Sequence, residues 1–145
     1  MGNRAVITTN KNLEEIGIYL HWNGGRDSIE AFLAYCKLKG YRSPERDCYG
    51  WTCLAGVIFN YFSNGMSCGL CIAKNLDCNN WDNGTYIIKD WLIVDRMFFN
   101  AEEQDEYDLE EFIFSVDEAM PNKMKLTHEE KKNIHKVIAE VYAAR

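Results

Sequence analysis

Five of the six cysteines, Cys48, Cys53, Cys68, Cys71 and Cys78, fall in one short stretch of the chain. Cys68-Gly-Leu-Cys71 is a Cys-x2-Cys pair, and Cys48 and Cys53 form a wider Cys-x4-Cys pair upstream. Zinc takes four thiolate or imidazole ligands in a tetrahedron, commonly supplied as two close pairs on turns or short elements. The best set is Cys48, Cys53, Cys68 and Cys71, with Cys78 able to replace one of them. The expected site is a closed, structural zinc site that pins a helix to the central hairpin. No carboxylate base stands beside an open coordination position. The competing reading is a set of free, partly buried thiols, because the two pairs lie on different predicted elements. Cys36 lies on the apolar face of a helix and reads as core.

The second candidate is the turn Asn23-Gly24-Gly25-Arg26-Asp27-Ser28, between an apolar strand and an amphipathic helix. It resembles the Ser-Gly-Gly-x-Asp-Ser loop of ATP-pyrophosphatases, with Asn23 where that loop has Ser. In such a loop, backbone N–H groups at a helix start hold pyrophosphate. Gly24, Gly25 and Arg26 are therefore candidate anion-binding residues. The enzyme itself is disfavoured, because its fold needs several βαβ units and the chain after Tyr41 offers none. The plainer reading gives Gly24 and Gly25 positive φ and makes Asp27 the helix cap.

Other chemistry is sparse. His21, His128 and His135 are scattered, the last two sharing a face of the final helix. No P-loop, zinc-protease motif or nucleophile elbow occurs. Asp77, Asp82, Asp90 and Asp95 lie in and around turns, where turn geometry accounts for them first. The largest charge block is Glu102, Glu103, Asp105, Glu106, Asp108, Glu110 and Glu111. Such a run is a solvated face or a surface for a basic partner. The aromatics Trp81, Trp91, Phe98 and Phe99 lie near it in sequence, and rings beside charges are common at interfaces.

The elements that must position these residues follow from periodicity. Arg4–Thr9 and Gly17–Trp22 read as strands. Asp27 with Glu30 forms a capping box that opens a helix, with Ile29, Phe32, Leu33 and Cys36 on one face and Gly40 at its end. A second helix spans about Tyr49 to Ser63, with Trp51, Leu54, Ala55, Ile58, Tyr61 and Phe62 as its stripe. Ser67–Ala73 reads as a strand. Asn83-Gly84 reads as a type I′ turn, and TYIIKDW and LIVDRMFF follow as strands around Asp90. A helix from about Asp108 buries Leu109, Phe112, Ile113 and Val116 and closes at Pro121. Thr127 with Glu130 opens a last helix running through HEEKKNIHKVIAEVYAAR. Hairpins with helices grouped between them predict an α+β fold, a small antiparallel sheet packed with about four helices in one domain.

The bulk numbers narrow the function. The chain has 145 residues, 47% hydrophobic and 13% aromatic, enough for a real core. A net charge of -6 argues against nonspecific nucleic-acid binding and suits a basic protein partner or polyanion mimicry. No apolar run approaches the roughly 20 residues of a membrane helix. MGNRAVITTNKN lacks a signal-peptide core, and Val6 breaks the myristoylation pattern. The expected location is the cytoplasm, where cysteines stay as thiols or metal ligands.

At IYLHWNGGRDSIEAFLAYCKLKGY, YGW and NWDNGTYIIKDWLIVDR the sequence resembles a family of small proteins from phages and prophages of Gram-positive bacteria. The resemblance runs from about Gly17 to Asp108. It carries over no catalytic residues, and the segment around Cys68 and Cys71 departs from the family pattern. Small prophage proteins of this kind are often anti-defence factors, some of them anti-CRISPR proteins and others sponges for nucleotide signals. The resemblance therefore implies a non-enzymatic inhibitor in the cytoplasm of a bacterial host. Such an inhibitor binds a defence protein, most readily a CRISPR–Cas effector, and blocks nucleic-acid loading through its acidic segment. Two rivals stand beside it. One is a sponge that holds a nucleotide phosphate at Gly24-Gly25-Arg26 with Arg42 and Arg96, and the other is a small nucleotide-processing enzyme.

Overall fold

In the computed structural model, residues 2–100 and 107–145 are described. The strands are β1 (Ala5–Thr8), β2 (Ile16–Leu20), β3 (Cys68–Ile72), β4 (Thr85–Lys89) and β5 (Leu92–Met97). The helices are α1 (Arg26–Leu38), α2 (Tyr49–Tyr61), α3 (Leu109–Ala119), a short α4 (His128–Lys131) and α5 (Ile134–Ala143). The strands form one sheet in the order β3-β2-β1-β4-β5. The fold is α+β, as the grouping of hairpins and helices predicts.

The sheet is mixed rather than wholly antiparallel. β1 and β4 run parallel, with Val6 opposite Thr85 and Thr8 opposite Ile87, while the other pairs are antiparallel. The reason is the route of the chain. β3 lies on the free side of β2, and the next strand joins on the far side of β1. That places β3 and β4 parallel to each other, and a parallel return needs a crossover. Residues 73–84 make that crossover over the second face of the sheet. Ala73 and Cys78 pack there on Val6, with Leu13, Tyr19, Leu76 and Phe98 around them. The crossover contains only a 3₁₀ turn at Ala73–Asn75, so it carries no helical periodicity to announce it.

Alternation along the strands sorts the two faces. Ala5, Ile7, Ile18, Leu20, Tyr86 and Ile88 face the helices and are buried. On α1 the stripe Ile29, Phe32, Leu33 and Cys36 is buried as its spacing predicts, but burial extends around the helix to Asp27, Ser28, Glu30, Ala31, Ala34 and Tyr35. The helix lies between the sheet and α2, α3 and α5. Phe32, Tyr61 and Phe112 meet at 5.4–5.8 Å between ring centroids. Leu109, Phe112, Ile113 and Val116 of α3 are buried.

Three local expectations change. Asn83-Gly84 is not the hairpin turn. The two-residue turn is Asp90-Trp91, both at positive φ (52° and 64°), between the paired Lys89 and Leu92. Trp91 is buried there and donates its indole N–H to Tyr41 O at 2.7 Å. Packing of that ring therefore selects the turn. Gly84 does have positive φ (75°), and a Cβ there would strike Met97 O. The final helix is not continuous. It breaks at Lys132-Asn133, and α5 turns Ile134, Val137 and Val141 inward. α2 stops at Tyr61, two residues before the positive-φ stretch Ser63, Asn64 and Gly65.

The capping box at Thr127 forms in full: Glu130 N–H donates to Thr127 Oγ1 (3.1 Å), and Thr127 N–H donates to Glu130 Oε1 (2.8 Å). Lys39 of the α1 C-cap also donates to Glu130 Oε1 at 2.9 Å. Burial pushes the Glu130 carboxyl up, but the Thr127 backbone N–H and the Lys39 ammonium outweigh it and hold the group below the ordinary 4.5. A depressed folded value stabilises above the unfolded value, and that contribution is lost as pH falls through the folded one. Glu130→Gln keeps the capping oxygen and removes the charge. It is expected to lower stability by about 1 kcal/mol at neutral pH. In urea titrations the difference from wild type should shrink steadily below pH 4.5.

A second polar link is deeper. The Tyr35 hydroxyl bridges Asp117 Oδ1 (2.8 Å) and Met124 O (2.9 Å), and Leu126 N–H donates to the same Asp117 oxygen at 2.7 Å. Tyr35 and Asp117 are both buried. Tyr35→Phe should cost about 1–3 kcal/mol of unfolding free energy, with unchanged far-ultraviolet dichroism.

Candidate functional site

The cysteines do not gather. β3 is extended, so Cys68 and Cys71, three positions apart, point to opposite faces of the sheet. Cys68 packs toward the helix-side core, while Cys71 is exposed. Cys78 is buried in the second-face cluster against Val6 and Ala73, its thiol donating to Ala73 O at 2.9 Å. Cys48 is the exposed N-cap of α2, and Cys53 is buried one turn on. Among the described residues, no three His, Cys, Asp or Glu side chains stand together to hold a metal. The expected Cys₄ set therefore does not fit a tetrahedral ion. The spacing Cys-x2-Cys chelates from a turn, and here it lies on a strand. Cys36, which reads as core, is fully buried on α1.

The glycine turn is built for packing. The N-cap of α1 is Gly25, at φ -63°, and no side chain caps it. Asp27 is one residue inside the helix, so the expected capping box does not form. The positive φ of this turn belongs to Asn23 (56°), not to the glycines. Gly24 is needed for close approach, since a Cβ there would strike Asn3 O. Its N–H donates to Asn3 O (2.8 Å), and its carbonyl accepts from the buried Tyr86 hydroxyl (2.8 Å).

The helix start already holds a carboxylate of the protein. Asp27 is buried, its Oδ1 accepts from Ser28 N–H (2.7 Å), and its Oδ2 accepts from Tyr107 N–H (2.8 Å). A phosphate brought to these N–H groups would meet that buried negative charge. Arg26 leans on the buried Glu30 (3.3 Å), which Arg145 also grips (2.6 Å). Arg42 pairs with Asp47 at 3.0 Å. Arg96 donates to Asn83 O (3.0 Å) and sits 4.5 Å from the ring centroids of Tyr86 and Phe99. Arg26 and Arg42 flank α1, so about 20 Å of helix separates them.

The histidines are likewise dispersed. His21 Nδ1 shares a 2.8 Å hydrogen bond with the Tyr19 hydroxyl. His128 and His135 fall on different helices, because the final helix breaks between them. His135 Nε2 stands 3.5 Å from Glu110.

The acidic run divides. Glu102, Glu103, Asp105 and Glu106 lie outside the described residues. Asp108 is the N-cap of α3 and accepts from Glu111 N–H at 3.1 Å. Glu111 is exposed, and Phe114, Ser115 and Glu118 follow on the same outward face at helical spacing. Tyr107 stands exposed just before the cap, its ring 4.7 Å from Phe112. Between Tyr61, Tyr107, Asp108, Glu111, Phe112 and Ser115 lies a shallow recess of about 180 Å³. This is an acidic face with two exposed rings, Tyr107 and Phe114, and a dent beside Tyr107.

Tyr107, Phe114 and Glu118 of this face are absent from the residues expected on sequence grounds. Phe114 has a signal, for it is the one large apolar residue on the polar side of the α3 stripe. Of the aromatics expected beside the run, Trp91 is core, Trp81 is exposed against Phe98, and Phe99 lies beside Arg96.

Free, unequal thiols make a direct expectation. Burial pushes the Cys68 thiol up to about 11 and raises Cys36, Cys53 and Cys78 as well. In a native thiol titration, Cys48 and Cys71 should react first, Cys68 slowly, and Cys36, Cys53 and Cys78 only on unfolding. Added chelator should leave that order unchanged.

Compared with protein-family models, with curated proteins and with solved structures, the chain matches none.

Proposed function

We propose that this chain is a non-catalytic binding protein that inhibits a host defence protein by occupancy, its acidic α3 face docking on a basic surface. A CRISPR–Cas effector is the partner that this chemistry suits best, because its nucleic-acid channel presents the lysines and arginines that carboxylates pair with. The observation that carries the reading is the exposed combination of Asp108, Glu111, Phe114 and Glu118 along the outer side of α3, with Tyr107 exposed just before its cap. Glu102, Glu103, Asp105 and Glu106 directly precede it in the chain.

The two kinds of group divide the work. The carboxylates steer encounter and exclude acidic partners, so they act on the association rate. The rings supply desolvated contact area, so they act on the dissociation rate. An effector channel filled this way cannot load DNA, and no step of chemistry is required of the inhibitor.

The test is binding to a purified Cas effector with competing DNA, measured by biolayer interferometry. Glu111→Lys with Glu118→Lys should weaken binding about tenfold or more, chiefly through slower association. Phe114→Ala should speed dissociation. The wild-type association rate should fall as salt rises. Multiple turnover of any nucleotide by the pure chain, or full inhibition by the charge-reversed variant, would overturn the proposal.

A further inference from the structure

The two edges of the sheet are treated differently. The β5 edge carries Asp95 and Arg96, and its pairing with β4 is interrupted by a bulge at Ile87/Ile88. Charges and bulges are the usual protection against edge pairing. The β3 edge, Cys-Gly-Leu-Cys-Ile, has no charge, no proline and an unbroken register with β2. Among the described residues no strand lies beyond it.

The backbone of that edge points outward. Ala73 N–H donates to Glu15 O (2.8 Å) and His21 N–H donates to Ser67 O (3.1 Å). The odd-numbered residues of β3 therefore bond to β2, and the N–H and C=O groups of Leu70 and Ile72 turn away from the sheet. Their side chains share the helix side of the sheet with Ile16 and Ile18 of β2. The helix layer does not cover this corner. Leu70, Ile72 and Ile16 are 51%, 42% and 37% exposed.

We infer that the β3 edge pairs with β3 of a second copy, antiparallel about Leu70, to make a continuous ten-stranded sheet across a two-fold axis. Centred on Leu70, the two leucines exchange both backbone hydrogen bonds, and each Ile72 N–H reaches the Cys68 carbonyl of the copy. Leu70 meets Leu70 and Ile72 meets Cys68, forming one apolar strip flanked by Ile16 on each side. On the other face Cys71 meets Gly69, which has no side chain to oppose it. A second copy is the occupant because a strand without charges opposes no like charges, although each chain carries a net -6. A basic partner would find no carboxylate along this strand. A short strand pair buries less than the roughly 800 Å² per partner of a standard interface, so the dimer is weak and reversible.

Sedimentation velocity over a concentration series, in reducing buffer to exclude disulfides through Cys48 and Cys71, tests this. The wild type should shift from monomer to dimer with a dissociation constant on the order of micromolar or weaker. Leu70→Lys, at an exposed site, should weaken the dimer about tenfold by opposing like charges at its centre. Val94→Lys on the β5 edge should not. Hydrogen exchange on the wild type should show the Leu70 and Ile72 amides slowing with concentration while those of Gly69 and Cys71 stay constant. A monomer at every concentration, a dimer indifferent to Leu70→Lys, one lost with Val94→Lys, or exchange without that alternation would overturn the inference.

Discussion

The structure depends on one constraint, the burial of α1 on nearly every side. A helix with one apolar stripe leaves its polar residues in water. α1 lies between the sheet and three other helices, so its polar residues are buried with the apolar ones. A buried polar group without a partner costs several kilocalories per mole, and Asp27, Glu30 and Tyr35 are all bonded. Asp27 takes Tyr107 N–H, Glu30 takes Arg26 and Arg145, and Tyr35 bridges Asp117 and Met124. Apart from Arg26, which lies on α1 itself, those partners come from the last third of the chain. The polar groups of one early helix thus set where the later elements sit.

The proposed docking face inherits this arrangement. α3 is held from within by Leu109, Phe112, Ile113 and Val116, and at its C-terminal half by the Asp117–Tyr35 bond. The Asp27–Tyr107 bond secures the residue just before its cap. A helix anchored in this way presents its outer carboxylates and rings on a rigid platform, and rigidity lowers the entropy lost on binding. The glycine turn, which resembles a phosphate loop, serves that anchoring. Its Asp27 carboxylate fills the helix start and reaches across to Tyr107.

The sheet separates two further tasks. Its helix side carries the main core, and its second face is closed by the crossover from Ala73 to Gly84. That crossover needs Gly84 and the Asn80 side chain, whose oxygen accepts from both Asp82 N–H and Gly84 N–H at 2.9 Å. The NWDNG segment is therefore a structural knot under the sheet. Among the described residues, the outer side of β3 is left without a strand partner.

Short-range physics was readable from the residues alone. The buried stripes of α1 and α3, the Thr127–Glu130 box, the Asp108 start and the strand positions all follow from period and capping chemistry, which act within a few residues. The α+β class follows from their order. Pairing across the chain was not readable. A parallel β1–β4 pair comes from a crossover without periodicity; the two strands around Asp90 were readable, but that Trp91 is buried in their turn and bonded to Tyr41 O was not. The cysteine spacing suggests a chelate, yet an extended β3 turns Cys68 and Cys71 to opposite faces. Spacing states which groups are near in sequence, and only the packed strands and helices decide which of them face one another.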